Sequence, residues 1–312
     1  MIGGGNSGPF GEIVVIANPH SGRGAVGAAL PGIERALRDT GLGYRIARTG
    51  GRGHATELAR DALRGGARYL VAAGGDGTVH EVVNGMLGDD GQPVAADAVL
   101  GVVACGSGCD FVRTFGLPGD VAAAVRRLAG DDVRRIDVGR LTCVSGAGEV
   151  TRYFTNIAEA GLGGTVVART AGLPGFLGGA RYLAGFWLTL PGFRPATVRL
   201  EADGQAYQWR AHNVVVANCR FYGGGMQISP ASEPDDGALD VLVMAGPKSG
   251  AFTTLPRVYR GTHLPHRNIA TLRAGLLRVD ADPPFDIEAD GEVLGSTPAT
   301  FEIIPGAIRL KV

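Results

Sequence analysis

Tyr69-Leu70-Val71-Ala72-Ala73-Gly74-Gly75-Asp76-Gly77-Thr78-Val79-His80-Glu81-Val82-Val83-Asn84-Gly85 joins an apolar run to a glycine-rich turn and then to a helical pattern. The run Tyr69–Ala73 is short, β-rich and apolar throughout, as suits a strand buried on both faces. Val79–Leu87 carries the helical pattern. Glycines in the turn let the backbone approach a phosphate and aim its N–H groups at it. The helix amino terminus that follows adds partial positive charge. A carboxylate such as Asp76 inside a phosphate loop is repulsive unless a cation intervenes. The natural cation is Mg²⁺, bridging Asp76 and phosphate oxygens.

The same order recurs on either side. Ile13–Ala17 leads into Asn18-Pro19-His20-Ser21-Gly22-Arg23-Gly24 and then the helical pattern Val26–Asp39. Leu100–Ala104 leads into Gly106-Ser107-Gly108-Cys109-Asp110. Tyr44–Arg48 and Ala55–Arg64 add one more strand and helix. Such alternation implies an α/β unit with a parallel sheet and right-handed crossovers. Ligands then bind beyond the carboxyl ends of the strands, where the three loops fall.

A rival motif starts in the first loop. Gly22-Arg23-Gly24-Ala25-Val26-Gly27 fits the dinucleotide pattern G-x-G-x-x-G. That pattern wants an acidic residue at the end of the second strand, which here reads Arg48-Thr49-Gly50-Gly51. Arg48 would suit a 2′-phosphate, so this motif alone leaves NADP open. It also leaves Asp76 and the other two loops unexplained. No G-x-x-x-x-G-K-[ST] phosphate loop occurs.

After about Arg135 the texture changes. Strand-like runs follow one another at Arg135–Arg140, Tyr153–Ala158, Thr197–Glu201, Asn213–Asn218, Leu239–Met244, Leu277–Val279, Phe285–Glu288, Ala299–Ile304 and Ile308–Lys311. Asp203-Gly204, Asp236-Gly237 and Asp290-Gly291 are turn signals between them. The expectation is a mostly antiparallel, β-rich second domain, a sandwich or barrel, with one apolar helical insert near Leu173–Leu190. The division predicted is 11–139 for the α/β domain and 140–312 for the β-rich domain, the last strands being free to return to the first.

Composition narrows the classes. Thirty basic and 30 acidic residues balance, so no global charge favours nucleic acid. Cys105, Cys109, Cys143 and Cys219 form no C-x-x-C pair, which argues against a zinc ribbon and for a reduced, cytoplasmic protein. His263 and His266 read as a solvated loop pair. The first ten residues lack a signal peptide's charged start and apolar run, and no stretch is long and apolar enough for a transmembrane helix.

Asn18-Pro19 with Ser21-Gly22, and Gly74-Gly75-Asp76-Gly77-Thr78 continuing through Glu81-Val82-Val83-Asn84-Gly85, resemble the diacylglycerol kinase catalytic-domain family. That family includes bacterial lipid kinases, sphingosine kinases and ceramide kinases. The resemblance continues through Thr49 with Gly53-His54-Ala55, Ala217-Asn218, Gly223-Gly224-Gly225-Met226, Asp235-Asp236-Gly237-Ala238-Leu239-Asp240 and Asp290-Gly291-Glu292. It implies a NAD-kinase/phosphofructokinase-like fold, with an ATP-binding α/β domain, a β-rich second domain and the active site between them. It implies ATP and Mg²⁺ as cofactors and a lipid hydroxyl as acceptor. Asn18, Ser21, Gly22, Thr49, Gly75, Asp76, Gly77, Thr78, Glu81 and Ser107 would hold the nucleotide, and Asp76 the catalytic Mg²⁺. Asp290 would take the proton from the attacking hydroxyl, as a positioned carboxylate can. A further Mg²⁺ would sit at Asp236 with the backbone carbonyls near Leu239 and Val241.

Two departures stand out. The third loop usually reads Gly-Thr-x-Asn-Asp, but here Ser107 keeps the hydroxyl and Cys109 replaces the amide. His80 stands where bacterial members carry Asn and is similar to the sphingosine-kinase branch. The acceptor therefore stays open among diacylglycerol, monoacylglycerol, sphingoid base, ceramide and phosphatidylglycerol. NAD kinases share the Gly-Gly-Asp-Gly loop and are the nearest alternative, with a non-catalytic nucleotide-binding regulator as the other. A homodimer is left open. The aromatic-rich segment Leu173–Phe193, with Phe186 and Trp187, is expected to contact lipid or the membrane surface, and Arg181 to meet anionic headgroups, giving peripheral attachment.

Overall fold

The computed structural model describes residues 8–105, 109–146, 148–170, 172 and 180–312. The chain divides into two compact units, Met1–Ile136 with Gly306–Val312, and Asp137–Pro305.

The first unit runs β1 (Ile13–Ala17), α1 (Ala25–Thr40), β2 (Tyr44–Arg48), α2 (His54–Arg64), β3 (Tyr69–Gly74), α3 (Asp76–Met86), β4 (Val99–Ala104), α4 (Asp110–Phe115) and α5 (Val121–Leu128). Its strands lie parallel in the order β2-β1-β3-β4. The chain's final strand adds Arg309 and Leu310 in parallel beside Val99 and Leu100. β1, β3 and β4 are buried along their whole length, as their unbroken apolar runs require. α1 turns Val26, Leu30, Ile33 and Leu37 inward at three- and four-residue spacing. The Asn84-Gly85 pair has a packing reason. A Cβ on Gly85 would lie 2.4 Å from the Thr56 carbonyl oxygen, so glycine lets α3 rest directly on α2.

The second unit contains β5 (Val133–Ser145, entering from the first unit), β6 (Gly148–Phe154), β7 (Ile157–Gly161), α6 (Leu162–Thr170) and α7 (Ala180–Thr189). It continues with β8 (Ala196–Ala202), β9 (Gln205–Ala211), β10 (Asn213–Ala217), β11 (Phe221–Tyr222), β12 (Met226–Gln227) and β13 (Leu239–Met244). It closes with α8 (Ala251–Val258), β14 (Ile269–Ala274), β15 (Leu276–Asp282), β16 (Asp286–Ala289) and β17 (Glu292–Lys311). Strands β14-β13-β10-β7-β16-β17 pair antiparallel in that order, and β17 continues through β15 and β8 to β9. The sheet folds over a core that includes Leu141, Phe154, Val198, Val214, Ile287 and Phe301.

Several expectations change. Tyr153–Ala158 is two strands, and Ala299–Ile304 with Ile308–Lys311 is one. α4, α5, α6 and α8 have at most nine residues each, too few for a helical period to stand out from apolar background. His263 is not solvated: it is 0% exposed, and its Nε2 lies 3.0 Å from the Ile228 carbonyl oxygen. The apolar insert yields α7, while 173–179 lie outside the described residues.

Candidate active site

In the first unit, the carboxyl ends of β1 and β3 bring the first two glycine loops together, with Cys105 at the end of β4 beside them. Asn18 Oδ1 accepts from the His20 N–H at 3.1 Å, and Ser21 N–H donates to the Asn18 carbonyl at 3.0 Å, which closes the first loop on itself. A Cβ on Gly22 would meet the Cys105 carbonyl oxygen at 3.3 Å, and one on Gly75 would come within 3.7 Å of Ser21 Oγ. Both glycines therefore lie where the loops touch. The Thr49 N–H extends the β1–β2 pairing by donating to the Ala17 carbonyl at 2.9 Å. Ser107 lies outside the described residues.

The second loop is itself a helix start. Asp76 is the first residue of α3, and the N–H groups of Thr78 and Val79 return to the Gly75 carbonyl. The Thr78 hydroxyl is buried at this amino end and has no hydrogen-bond partner among the described residues. An orphaned buried hydroxyl beside helix N–H groups suits a phosphate oxygen.

Asp76 also caps α4. Its carboxylate accepts from Asp110 N–H at 3.0 Å, Phe111 N–H at 2.9 Å and the Cys109 thiol at 3.3 Å. Burial, then the Asp76 charge, pushes the Cys109 thiol well up, so it stays a neutral donor. Cys109 thus supplies weakly the bond that an amide would supply strongly. The cap also tempers the expected repulsion, because α4 meets the Asp76 charge with its own N–H groups.

Glu81 differs from expectation. Its two carboxylate oxygens accept from Gly53 N–H and Ala55 N–H, each at 3.0 Å. It caps α2, so both of its oxygens are engaged by the neighbouring helix start.

In the second unit, Asp290 and Gly291 form the two-residue turn between β16 and β17, both with positive φ (46° and 85°), as Asp-Gly favours. Among the described residues, the Asp290 carboxylate accepts from the start of β7. Oδ1 takes Asn156 N–H at 3.0 Å and Ile157 N–H at 3.1 Å, and Oδ2 takes Thr155 N–H at 2.8 Å and the Thr155 hydroxyl at 3.1 Å. These bonds interrupt the predicted strand Tyr153–Ala158, since Thr155 and Asn156 give their N–H groups to a side chain. No local pattern marks Thr155 as a partner 135 residues from Asp290.

The Asp236 turn does not fit a metal. Asp236 is ion-paired with Arg273, whose Nε lies 3.5 Å from Asp240 Oδ1. Leu239 and Val241 lie within β13, opposite Ala274 and Leu272. A guanidinium thus stands where the cation was expected. Among the described residues no group of three or more His, Cys, Asp or Glu is gathered to hold a metal.

The chain thus joins an α/β unit with a parallel sheet to an antiparallel, β-rich unit. The diacylglycerol kinase catalytic domain model matches residues 12–141. The YegS C-terminal NAD kinase beta sandwich-like domain model matches residues 156–312. The chain belongs to the diacylglycerol kinase and YegS-like lipid kinase family. It is 31% identical over 294 residues to the diacylglycerol kinase of Bacillus subtilis (strain 168), covering 92% of this chain and 91% of that protein. It is 31% identical over 303 residues to the "Probable lipid kinase YegS-like" of Pseudomonas aeruginosa (strain UCBPP-PA14), covering 96% and 93%. A solved diacylglycerol kinase structure from Bacillus anthracis str. Sterne superposes with a TM-score of 0.70 at 23% identity, covering 96% of each chain, and so shares the fold.

Proposed function

We propose that the chain transfers the γ-phosphoryl group of ATP to a hydroxyl group of diacylglycerol or a related lipid. Family membership carries the class, and the adjoining first and second glycine loops, with a buried Thr78 hydroxyl that has no partner among the described residues, support the nucleotide end. Asn18, Ser21, Gly22, Thr49, Gly75, Gly77, Thr78 and Ser107 hold the nucleotide in this account. Asp76 fits Mg²⁺ as a single protein carboxylate shared with substrate phosphates, the arrangement this ion commonly takes. When bound, the ion neutralises phosphate charge.

Asp290 accepts the proton of the lipid hydroxyl. To do so its carboxylate must surrender a hydrogen bond. Thr155, Asn156 and Ile157 give it backbone N–H groups, which are fixed, whereas the Thr155 hydroxyl can rotate. Oδ2 is therefore the oxygen that receives the proton. The test is transfer of labelled γ-phosphate to each of the five lipid classes and to NAD, run side by side. Label in a lipid supports the proposal; label in NAD alone overturns it.

Cys109→Asn is expected to leave the steady-state rate unchanged or raised, because an amide donates to Asp76 more strongly than a neutral thiol does. A dead enzyme would mean that the thiol has a role other than this hydrogen bond.

Membrane contact belongs to the same proposal. No helix among the described residues is long and apolar enough to cross a membrane. Phe186 and Trp187 pack against the cluster of Leu162, Val166 and Leu190, so they are partly core. The outward apolar groups are Leu188 on α7, 58% exposed, and Phe252 on α8, 66% exposed. Phe252 stacks on Trp187 with ring centroids 4.5 Å apart. From Ala160 to Leu200 and from Val241 to Val279 the sequence has no Asp or Glu, but four and six Lys or Arg respectively. In a chain of balanced charge, this segregation favours an anionic bilayer. Leu188→Ser with Phe252→Ser is expected to weaken sedimentation with anionic vesicles several-fold at an unchanged Tm. Unchanged vesicle binding would remove the contact. The side chain of Arg181 lies outside the described residues.

A further inference from the structure

Two buried glutamates have no part in the chemistry above. Glu159 on β7 and Glu288 on β16 stand directly opposite each other in the antiparallel pairing, and each is 3% exposed. Side chains so placed have Cβ atoms about 4.5–5.5 Å apart. Glu159 Oε1 accepts from Asn213 Nδ2 at 2.7 Å, and Asn213 Oδ1 takes the Gly163 N–H at the start of α6. A Cβ on Gly163 would lie only 1.9 Å from Glu159 Oε2, so glycine is what leaves room for this carboxyl group. Glu288 Oε2 accepts from the Gly291 N–H at 2.8 Å.

These bonds form a closed path. Gly291 is the second residue of the turn that carries Asp290, and Asp290 binds the start of β7 at Thr155–Ile157. Two residues further along β7 is Glu159, which faces Glu288. The turn is thus held to β7 at one point by Asp290 and at another through the two glutamates.

We propose that Glu159 and Glu288 hold one proton between them and that, as positioning residues, they fix the Asp290 turn. Two opposed carboxylates in a dry site cannot both ionise cheaply, so one proton stays. The neighbours seen among the described residues are not cations. From β10 comes the neutral amide of Asn213. From β11 and the end of α8 come Tyr222 and Tyr259; burial and then the two glutamates push the Tyr222 phenol well up, so it stays neutral. On β16 Asp286 is held by the Thr165 hydroxyl of α6. Arg169 of α6 and Arg257 of α8 are turned to the Leu188 and Thr262 carbonyls. Burial, only partly offset by Asn213, pushes the Glu159 carboxyl up to about 7. The shared proton is therefore held below neutral pH and lost as pH rises through about 7. Two facing charges then remain, and Glu288 moves off the Gly291 N–H.

The positioning role rests on the assignment of Asp290 as base; the shared proton does not. The test is Glu159→Gln, which imitates the protonated acid, studied in the full chain. A raised folded-state pKa makes wild-type stability complete below the unfolded value, near 4.5, and progressively lost as pH rises through about 7. The variant lacks that loss. Its Tm should match wild type at pH 5, exceed it increasingly toward pH 7 and hold that lead at pH 8.5. A constant difference across this range overturns the shared proton. In the lipid kinase assay, wild-type kcat should fall up to tenfold per pH unit above the pair's pKa, and Glu159→Gln should flatten that limb with KM for ATP unchanged. The same alkaline limb in variant and wild type overturns positioning even if the Tm pattern holds. Absence of kinase activity in wild type would count against the proposed function while the Tm comparison still decides the shared proton.

Discussion

Alanine at Asp76 is expected to abolish Mg²⁺-dependent phosphoryl transfer and to weaken ATP binding more in Mg²⁺ than without metal. A residue that shares the ion with the nucleotide loses its largest contribution when the ion is present. The structure adds a second effect. Asp76 is the acceptor for Asp110 N–H and Phe111 N–H, so alanine also removes the cap of α4. Losing a cap costs about 1 kcal/mol, which corresponds to roughly 2–4 °C in Tm for a chain segment of this size. Calorimetry of ATP binding with and without Mg²⁺ separates the effects. Loss of the cap alone lowers both affinities equally; loss of a metal partner lowers the Mg²⁺ value further. Equal losses would reduce Asp76 to a structural residue.

Asp290→Asn is the second large effect, with catalysis falling by about 10²–10⁴-fold. The hydrogen bonds to Asp290 add a cost in stability. An amide has one acceptor oxygen, so its NH₂ group must face N–H donors that now point at the other carboxylate oxygen. Leaving such buried donors unsatisfied costs about 1–3 kcal/mol. Tm should therefore fall together with the rate, while ATP affinity, which the proposed function assigns to the first unit, stays near wild type. Wild-type turnover in this variant would remove Asp290 as the base. A fall in ATP affinity as large as the fall in rate would show that the damage is general.

Much of the first unit was legible because its signals are local. The apolar runs at Ile13–Ala17 and Tyr69–Ala73 have one stable outcome when followed by glycine and a helical pattern, and both are central strands. Asp76 drew notice because a carboxylate among phosphate-binding glycines needs an explanation. What it touches was hidden, since α4 is only six residues long and its cap lies 34 residues away from Asp110 in sequence. Glu81 shows the same limit. Its place in the motif suggested the nucleotide, but its two N–H partners belong to the neighbouring helix. In the second unit, Asp-Gly pairs marked turns correctly, but nothing local joined Asp290 to Thr155 or Glu159 to Glu288. Those pairings arise from strand order, which alternation of apolar residues does not encode. The Mg²⁺ expected at Asp236 came from the family resemblance alone; Arg273, supplied by the adjoining strand, is 37 residues away.

The measurement that bears most directly on the account is initial-rate transfer of ³²P from [γ-³²P]ATP to diacylglycerol in mixed micelles, with and without Mg²⁺, for wild type and the Asp76→Ala variant. The account predicts a labelled lipid that migrates as phosphatidic acid or a related phospholipid, formed in Mg²⁺ by wild type and reduced to background without the ion or without Asp76. Label appearing only in inorganic phosphate, or equal transfer by wild type and Asp76→Ala, would contradict it.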